Sequence, residues 1–355
     1  MRTQSVASRR AIRSGAVIGA MALAASSVLI AAPANAAESL TFTVPGVQAP
    51  FVVPQNVHSI TYTVVGGQGG DGSGPHGGLG GLPANVTGTL TVSPGDTLTI
   101  WVAGAGQDGG GTGEAPGLGG IGFAEGGDGG YSGHFFLGDE DVSVSRPGAG
   151  GGGSSAVLLN SDLVVSAAGG GGGGGRGLDD VVFDACVGGP GGDAGLAGGP
   201  SAGGDNAPYD KCPVANGGSV GVGPENPGGD ADDVPTSFFN VAVGGAGGGG
   251  AGDGGAGSYS TASNDIFVRA AGGGGGAGGL SFIDAALSPD AVETIEVLPL
   301  DATGDGYVTL EYAFALPSTG LTTNVPLFAS GALVLLLAGG AVFMMRRRAD
   351  GAATR

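Results

Sequence analysis

Lysine and histidine are nearly missing from this chain of 355 residues: Lys211 is the only lysine, and His58, His76 and His134 are the only histidines. A phosphate-gripping loop of the G-x-x-x-x-G-K-[ST] type needs a lysine at its end, and no such string occurs. GxGxxG strings do recur, but a dinucleotide site needs a helix straight after the loop, and no amphipathic helix is legible between residues 37 and 319. Gly199-Pro200-Ser201-Ala202-Gly203 has the spacing of a serine-hydrolase elbow. No histidine follows it, and in so glycine-rich a chain the spacing arises by composition. Tryptophan occurs once, at Trp101, so aromatic platforms for sugars are sparse. An enzyme is not expected, although two carboxylates converging from distant strands would still suit glycoside hydrolysis.

Cysteine is scarce as well, with Cys186 and Cys212 alone. On an exported chain both meet an oxidising exterior, and one disulfide between them is expected. It would stabilise by about 3 kcal/mol on the chain-entropy estimate. Two free thiols are the other arrangement. A metal site at this pair is not expected, because every histidine lies far upstream.

Both ends carry targeting patterns. Arg2, Arg9, Arg10 and Arg13 precede an Ala-rich apolar stretch, and Ala34-Asn35-Ala36 supplies a small-x-small cleavage site. Residues 1–36 therefore read as a signal peptide cut between Ala36 and Ala37, and Pro33 with the A-x-A site argues against a retained anchor. Ser8-Arg9-Arg10-Ala11-Ile12 has the outline of a twin-arginine export motif, but Arg13 stands where an apolar residue is usual, which favours the general secretory route. At the other end, 325–345 is an uncharged apolar run of about 20 residues, the length of a membrane-crossing helix. Arg346, Arg347 and Arg348 follow it and should stay on the cytoplasmic side.

Removing the ends changes the charge. The whole chain carries 12 basic and 31 acidic residues, net −19. Eight of the basic residues lie in the two ends and only Asp350 leaves with them, so Arg146, Arg176, Lys211 and Arg269 face 30 acids, a net charge of about −26. Such a surface repels phosphate backbones, which excludes nucleic acid as a partner. It also keeps a glycine-rich chain soluble outside the cell.

Just before the apolar run stands Leu316-Pro317-Ser318-Thr319-Gly320. Motif, span and basic end in this order resemble the LPXTG sorting signal of Gram-positive cell-wall surface proteins. The resemblance implies that a sortase cuts between Thr319 and Gly320 by acyl transfer through its own cysteine and joins Thr319 to peptidoglycan. Leu316 would fill a pocket of that enzyme while Pro317 sets a fixed bend. The organisation expected is signal peptide 1–36, extracellular domain 37–315, sorting motif 316–320, membrane segment 321–345 and cytoplasmic tail 346–355. Almost no stalk separates Tyr312 from Leu316, which places the folded module close to its attachment point.

Glycine is abundant, 83 residues, without the strict Gly-X-Y period of collagen. Between the glycine runs, apolar residues alternate with polar ones: Leu40, Phe42, Val44; Ile60, Tyr62, Val64; then 86–92 and 97–102 around the turn Ser93-Pro94-Gly95-Asp96. A period of two bounded by turn residues predicts half-buried antiparallel strands, hence an all-β fold. Further strands are predicted at 156–160, 163–167, 239–243, 266–270, 294–298 and 307–312. The glycine runs occupy 66–81, 104–133, 148–153, 169–177, 188–204, 244–257 and 272–279. Glycine loses the most backbone entropy on ordering, so lone runs would stay loose and solvated. Many runs side by side have a second option: left-handed extended helices of three residues per turn, packed closely and exchanging backbone hydrogen bonds. A repeat, Asp162-Leu163-Val164-Val165-Ser166-Ala167-Ala168 and Asp265-Ile266-Phe267-Val268-Arg269-Ala270-Ala271, each followed by five glycines, points to internal duplication or to an insertion over about 176–238.

The strings Ile60-Thr61-Tyr62-Thr63-Val64-Val65-Gly66-Gly67-Gln68-Gly69-Gly70-Asp71-Gly72, Val92-Ser93-Pro94-Gly95-Asp96-Thr97-Leu98 and Leu163-Val164-Val165-Ser166-Ala167-Ala168 resemble those of bacterial glycine-rich surface proteins. They are also similar to the glycine-rich ectodomain of the anaplastic lymphoma kinase family. The resemblance spans roughly 39–314 and implies a jelly-roll-like β-sandwich with polyglycine-II-like tracts inserted as a bundle. No ligand-binding residue carries over from it.

Clustered acids at Asp139-Glu140-Asp141, Asp179-Asp180 and Asp230-Ala231-Asp232-Asp233 offer hard oxygen ligands, so Asp139, Glu140, Asp141, Asp230, Asp232 and Asp233 are weak calcium candidates, with solvated loops as the alternative. No other cofactor is expected. The sequence thus predicts a non-enzymatic protein of the cell wall, made by sortase from a precursor transiently held in the membrane. Its role is structural or interactive there; the alternative is an adhesin for a specific glycan or host protein, with calcium assisting.

Overall fold

Alternating side chains decide which face of each strand is buried, and they do so here for most of the core. The structure is a computed structural model that describes residues 37–74, 76–110, 115–132, 136–137, 140–141, 145–177, 187–194, 215–219, 226–232, 247–248, 250–252, 254–258, 272–297 and 303–314. Among them lie β1 (Ala37–Phe42), β2 (Gly46–Val47), β3 (Phe51–Val52), β4 (Ser59–Val65), β5 (Ala84–Thr91), β6 (Thr97–Val102), β7 (Phe136–Leu137), β8 (Glu140–Asp141), β9 (Ser155–Leu159), β10 (Asp162–Ala167), β11 (Phe282–Ile283), β12 (Val292–Ile295) and β13 (Tyr307–Ala313). The described residues contain no helix, and none long and apolar enough to cross a membrane. The expected membrane segment 321–345 lies outside them, as do the strands predicted at 239–243 and 266–270 and both cysteines.

Two antiparallel sheets make the core. One runs β1-β13-β4-β5-β12; the other runs β11-β10-β9-β6-β2, with β3 also on β6. Ile60, Tyr62 and Val64 of β4, Val86 and Leu90 of β5, and Val308 and Leu310 of β13 point inward from the first. Leu98, Ile100 and Val102 of β6, Val157 of β9, and Val164 and Val165 of β10 meet them from the second. Full burial of each such side chain stabilises by about 1.5–3 kcal/mol. The turn between β5 and β6 closes as its residues dictate: Ser93 donates its amide to Asp96 Oδ2 at 2.7 Å, and Gly95 takes a φ of 93°.

Strand β1 departs from the half-buried expectation. Among the described residues it is an edge strand whose ladder partner is β13, in register from Ala37↔Ala313 to Phe42↔Val308, and Leu40 stays 36% exposed. Strand β12 begins two residues before the predicted 294–298 and pairs with β5 from Val292↔Thr87 to Ile295↔Ala84.

Registers also fix which end of the sheets each connection leaves from. Val65 pairs with Asn85 and with Tyr307, and Ala167 pairs with Ser155. The glycine segments after β4, β6 and β10, and those returning to β5, β9 and β11, therefore meet at one end. Hydrogen bonds from Ala84 N to Ala168 O and from Gly306 N to Ala103 O tie that end together. The opposite end holds the 93–96 and 160–161 turns, the start of β1 and the end of β13.

Candidate functional site

The unusual chemistry of this chain is in its backbone, at the glycine end. Residues 168–177 leave β10 and run through the middle of the other glycine segments. The amides of Gly170 and Gly173 donate to Gly67 and Gly70; those of Gly171 and Gly174 donate to Gly192 and Gly189; those of Gly169 and Gly172 donate to Ala251 and Gly248. Their carbonyls are equally occupied. Ala168, Gly171 and Gly174 accept from Ala84, Gly81 and Gly78; Gly170, Gly173 and Arg176 accept from Gly152, Ala149 and Arg146; Gly169, Gly172 and Gly175 accept from Gly279, Gly276 and Gly273. Each neighbouring segment is met once every three residues, so this segment has six neighbours. Every amide of 169–174 and every carbonyl of 168–176 has a partner, as burial requires.

Close approach explains why these positions are glycine. A Cβ on Gly171 would collide with the carbonyl of Gly276, one on Gly170 with that of Gly81, and one on Gly152 with that of Gly67. None of these glycines has a positive φ, so space and not backbone freedom dictates the residue. The repeated runs 169–173 and 272–276 are direct neighbours, yet they run antiparallel: Gly273, Gly276 and Gly279 donate to Gly175, Gly172 and Gly169. The two glycine runs therefore pass through the bundle in opposite directions. Segments 187–194, 215–219 and 226–232, inside the expected insertion, join the same network.

At the rim, side chains return at every third residue. Ala115, Leu118 and Ile121 are exposed along one segment, and Glu125, Asp128 and Tyr131 along the next, with buried or half-buried residues between. His76 and Leu79 follow the same spacing, and Asp71 is exposed earlier in that segment. A local Gly-Gly-X period in the sequence marks these outward rows, and composition alone hid it.

Aspartates in those rows carry the second part of the network. Asp71 Oδ1 accepts the Gly80 amide at 2.7 Å, while Asp108 Oδ1 accepts the Asp71 amide at 2.8 Å. Asp128 Oδ1 accepts from Gly119 at 2.7 Å, and Asp230 Oδ1 accepts from Asp128 at 3.0 Å. Asp193 and Asp305 do the same for the amides of Leu82 and Ala105, at 2.8 and 2.9 Å. Each carboxylate caps an amide at the edge of the bundle. Sequence reading placed Asp230 among calcium ligands and missed this role.

The other expected site residues are scattered. Glu140 and Asp141 form β8, paired with Leu137 and Phe136 of β7. Asp232 is exposed two residues from Asp230, whereas Asp139 and Asp233 lie outside the described residues. Among the described residues, no three His, Cys, Asp or Glu side chains gather as a metal would need. Ala37 opens β1 and is exposed; Ala34, Ala36, Leu316, Pro317, Ser318, Thr319, Gly320, Cys186 and Cys212 lie outside the described residues. No protein-family model matches the chain, and no curated protein matches it either.

Proposed function

We propose that this is a non-enzymatic surface protein, covalently attached to peptidoglycan through Thr319, whose two sheets form a base and whose glycine bundle faces away from the wall. One observation carries the reading: β13 enters at the glycine end and finishes at the opposite end, where Ala313 pairs with Ala37. A chain anchored at Thr319, six residues past the end of β13, is held by the end remote from the bundle. The bundle consumes its own polar groups in building itself, which suits a stiff structural element at the cell surface. In finer detail the sheets form a jelly-roll-like β-sandwich, and the segments adopt polyglycine-II-like helices. The recurrence of each neighbour every third residue supports those helices, because the extended left-handed helix has three residues per turn.

The attachment step follows from the resemblance of residues 316–320 to the sorting signal. A sortase cysteine thiolate attacks the Thr319 carbonyl carbon, and the Thr319–Gly320 bond breaks as the Gly320 amine leaves with a proton. A peptidoglycan amine then displaces the thiol from the thioester. Thr319→Ala in the producing cell tests this. Loss of the wall-linked form supports attachment, and unchanged wall linkage refutes it.

An adhesin is the second reading, favoured by the exposed apolar rows on the bundle, with Leu79 at 69% and Leu118 and Ile121 each at 51% exposure. A screen of the protein against glycans, matrix proteins and peptidoglycan, with and without calcium, separates the two. A saturable ligand supports the adhesin; silence from folded protein supports the structural role.

A further inference from the structure

We infer that copies of this chain standing side by side join edge to edge, with β12 of one copy beside β1 of the next, so that the first sheet continues from molecule to molecule. This inference rests on the proposed attachment, which holds neighbours upright and at one height. Among the described residues that sheet ends in β1 on one side and β12 on the other. Sheets end safely in strands that are very short, or that carry lysine, proline or a bulge. The second sheet follows this rule, since its outer strands β2, β3 and β11 have two residues each. Strand β1 does not. It has six residues, neither lysine nor proline, and an unbroken register with β13. Its one charge, Glu38, accepts the Tyr312 hydroxyl of its own sheet at 2.8 Å.

Direction and level decide what fits that edge. Every pairing in the order β1-β13-β4-β5-β12 is antiparallel, so β1 and β12 run the same way. An upright copy can therefore offer β12 to the β1 of an upright neighbour, in a parallel pairing. The registers also set the height: Thr41 pairs with Thr309, Thr309 with Thr63, Thr63 with Thr87, and Thr87 with Val292, one row across all five strands. A neighbour at equal height brings its Thr41 beside Val292, its Phe42 beside Glu293, its Thr43 beside Thr294 and its Val44 beside Ile295. Val44 and Ile295 are 68% and 41% exposed, and this contact covers both. Over these four levels Glu293 is the only charged residue, so no like charges oppose each other. Four paired residues make a weak contact, and dissolved chains stay apart. Chains held on one surface meet at about millimolar effective concentration, and a contact between two different edges does not close, so it yields rows.

The experiment is cross-linking of the full chain on intact producing cells with a short bis-maleimide. Thr43 and Thr294 are both exposed, so Thr43→Cys with Thr294→Cys puts a thiol on each edge without disturbing the core. The double variant should give a ladder of dimer, trimer and larger species, while the wild type and each single variant give none. Adding Val44→Lys, a charge on the open edge, should abolish the ladder. A double variant that stays monomeric overturns the inference. So does a dimer from Thr43→Cys alone, because it would mean that β1 pairs with β1 of a copy turned over. Thr319→Ala run alongside reads the other premise: if wall linkage survives that substitution, attachment through Thr319 fails, whatever the ladder does.

Discussion

Gly276 places its carbonyl oxygen where the Cβ of any residue other than glycine at position 171 would have to sit. Gly171 also donates to Gly192 and accepts from Gly81, so the obstruction cannot be relieved without breaking other bonds. Each interior hydrogen bond contributes about 1 kcal/mol net, against an ordering cost of about 1–2 kcal/mol per residue. The bundle is thus close to balance and depends on being complete. Gly171→Ala should lower unfolding stability by about 3 kcal/mol or more, read as a fall in denaturant midpoint. Leu118→Ser, on the exposed rim of the same bundle, should stay within about 0.5 kcal/mol of wild type.

The rim carboxylates act as acceptors, so having an oxygen at the position matters more than its charge. Asp128→Asn retains an acceptor for the Gly119 amide and should leave stability nearly unchanged. Asp128→Ala strips it and should cost about 1 kcal/mol, with faster hydrogen exchange at Gly119. Equal behaviour of the two variants would remove the capping role.

Between the sheets, Tyr62 donates to Ser288 Oγ at 2.8 Å, and Ser288 donates onward to the Thr89 carbonyl at 3.1 Å. Gly88 makes room for this, since a Cβ there would come within 2.6 Å of the Tyr62 hydroxyl. Tyr62→Phe should cost about 1 kcal/mol. Gly88→Ala should cost more, because it displaces a buried ring as well as the bond. Thermal melts of the two variants give the order directly.

Tyr312 ties strand stability to alkaline pH. Burial first, and then its bond to Glu38 and that group's charge, push its hydroxyl up to about 12 from the usual 10.0. In the folded state the proton is held more tightly than in the unfolded state. This contribution is complete below pH 10 and drains away as pH rises from about 10 to about 12. Tyr312→Phe should flatten the stability profile in that window and should remove one of the late-ionising tyrosines from the ultraviolet titration of the wild type. A profile identical in both proteins would contradict the assignment.

Much of the β scaffold was legible because a period of two survives in β4, β5, β6 and β13, where one face is more buried than the other. The exposure of β1 was hidden, since Leu40 and Phe42 alternate correctly while the strand lies at the edge of its sheet, beside β13. Strands β2, β3 and β11, two residues each, carry too few positions for a period to register. Position 171 shows the deeper difficulty: its glycine is dictated by carbonyls far away in sequence, and nothing local announces them. Asp71 and Asp128 look like solubilising charge until the neighbouring segment supplies the amide.

Hydrogen exchange of the backbone amides in residues 169–174, measured beside those of β4, tests the glycine network most directly. Six amides bonded to three separate segments should exchange as slowly as the amides of Ile60, Tyr62 and Val64 in the sheet core. Exchange at the rate of an open chain in 169–174, with β4 still protected, would contradict the bundle and leave only the two sheets as the folded part of this protein.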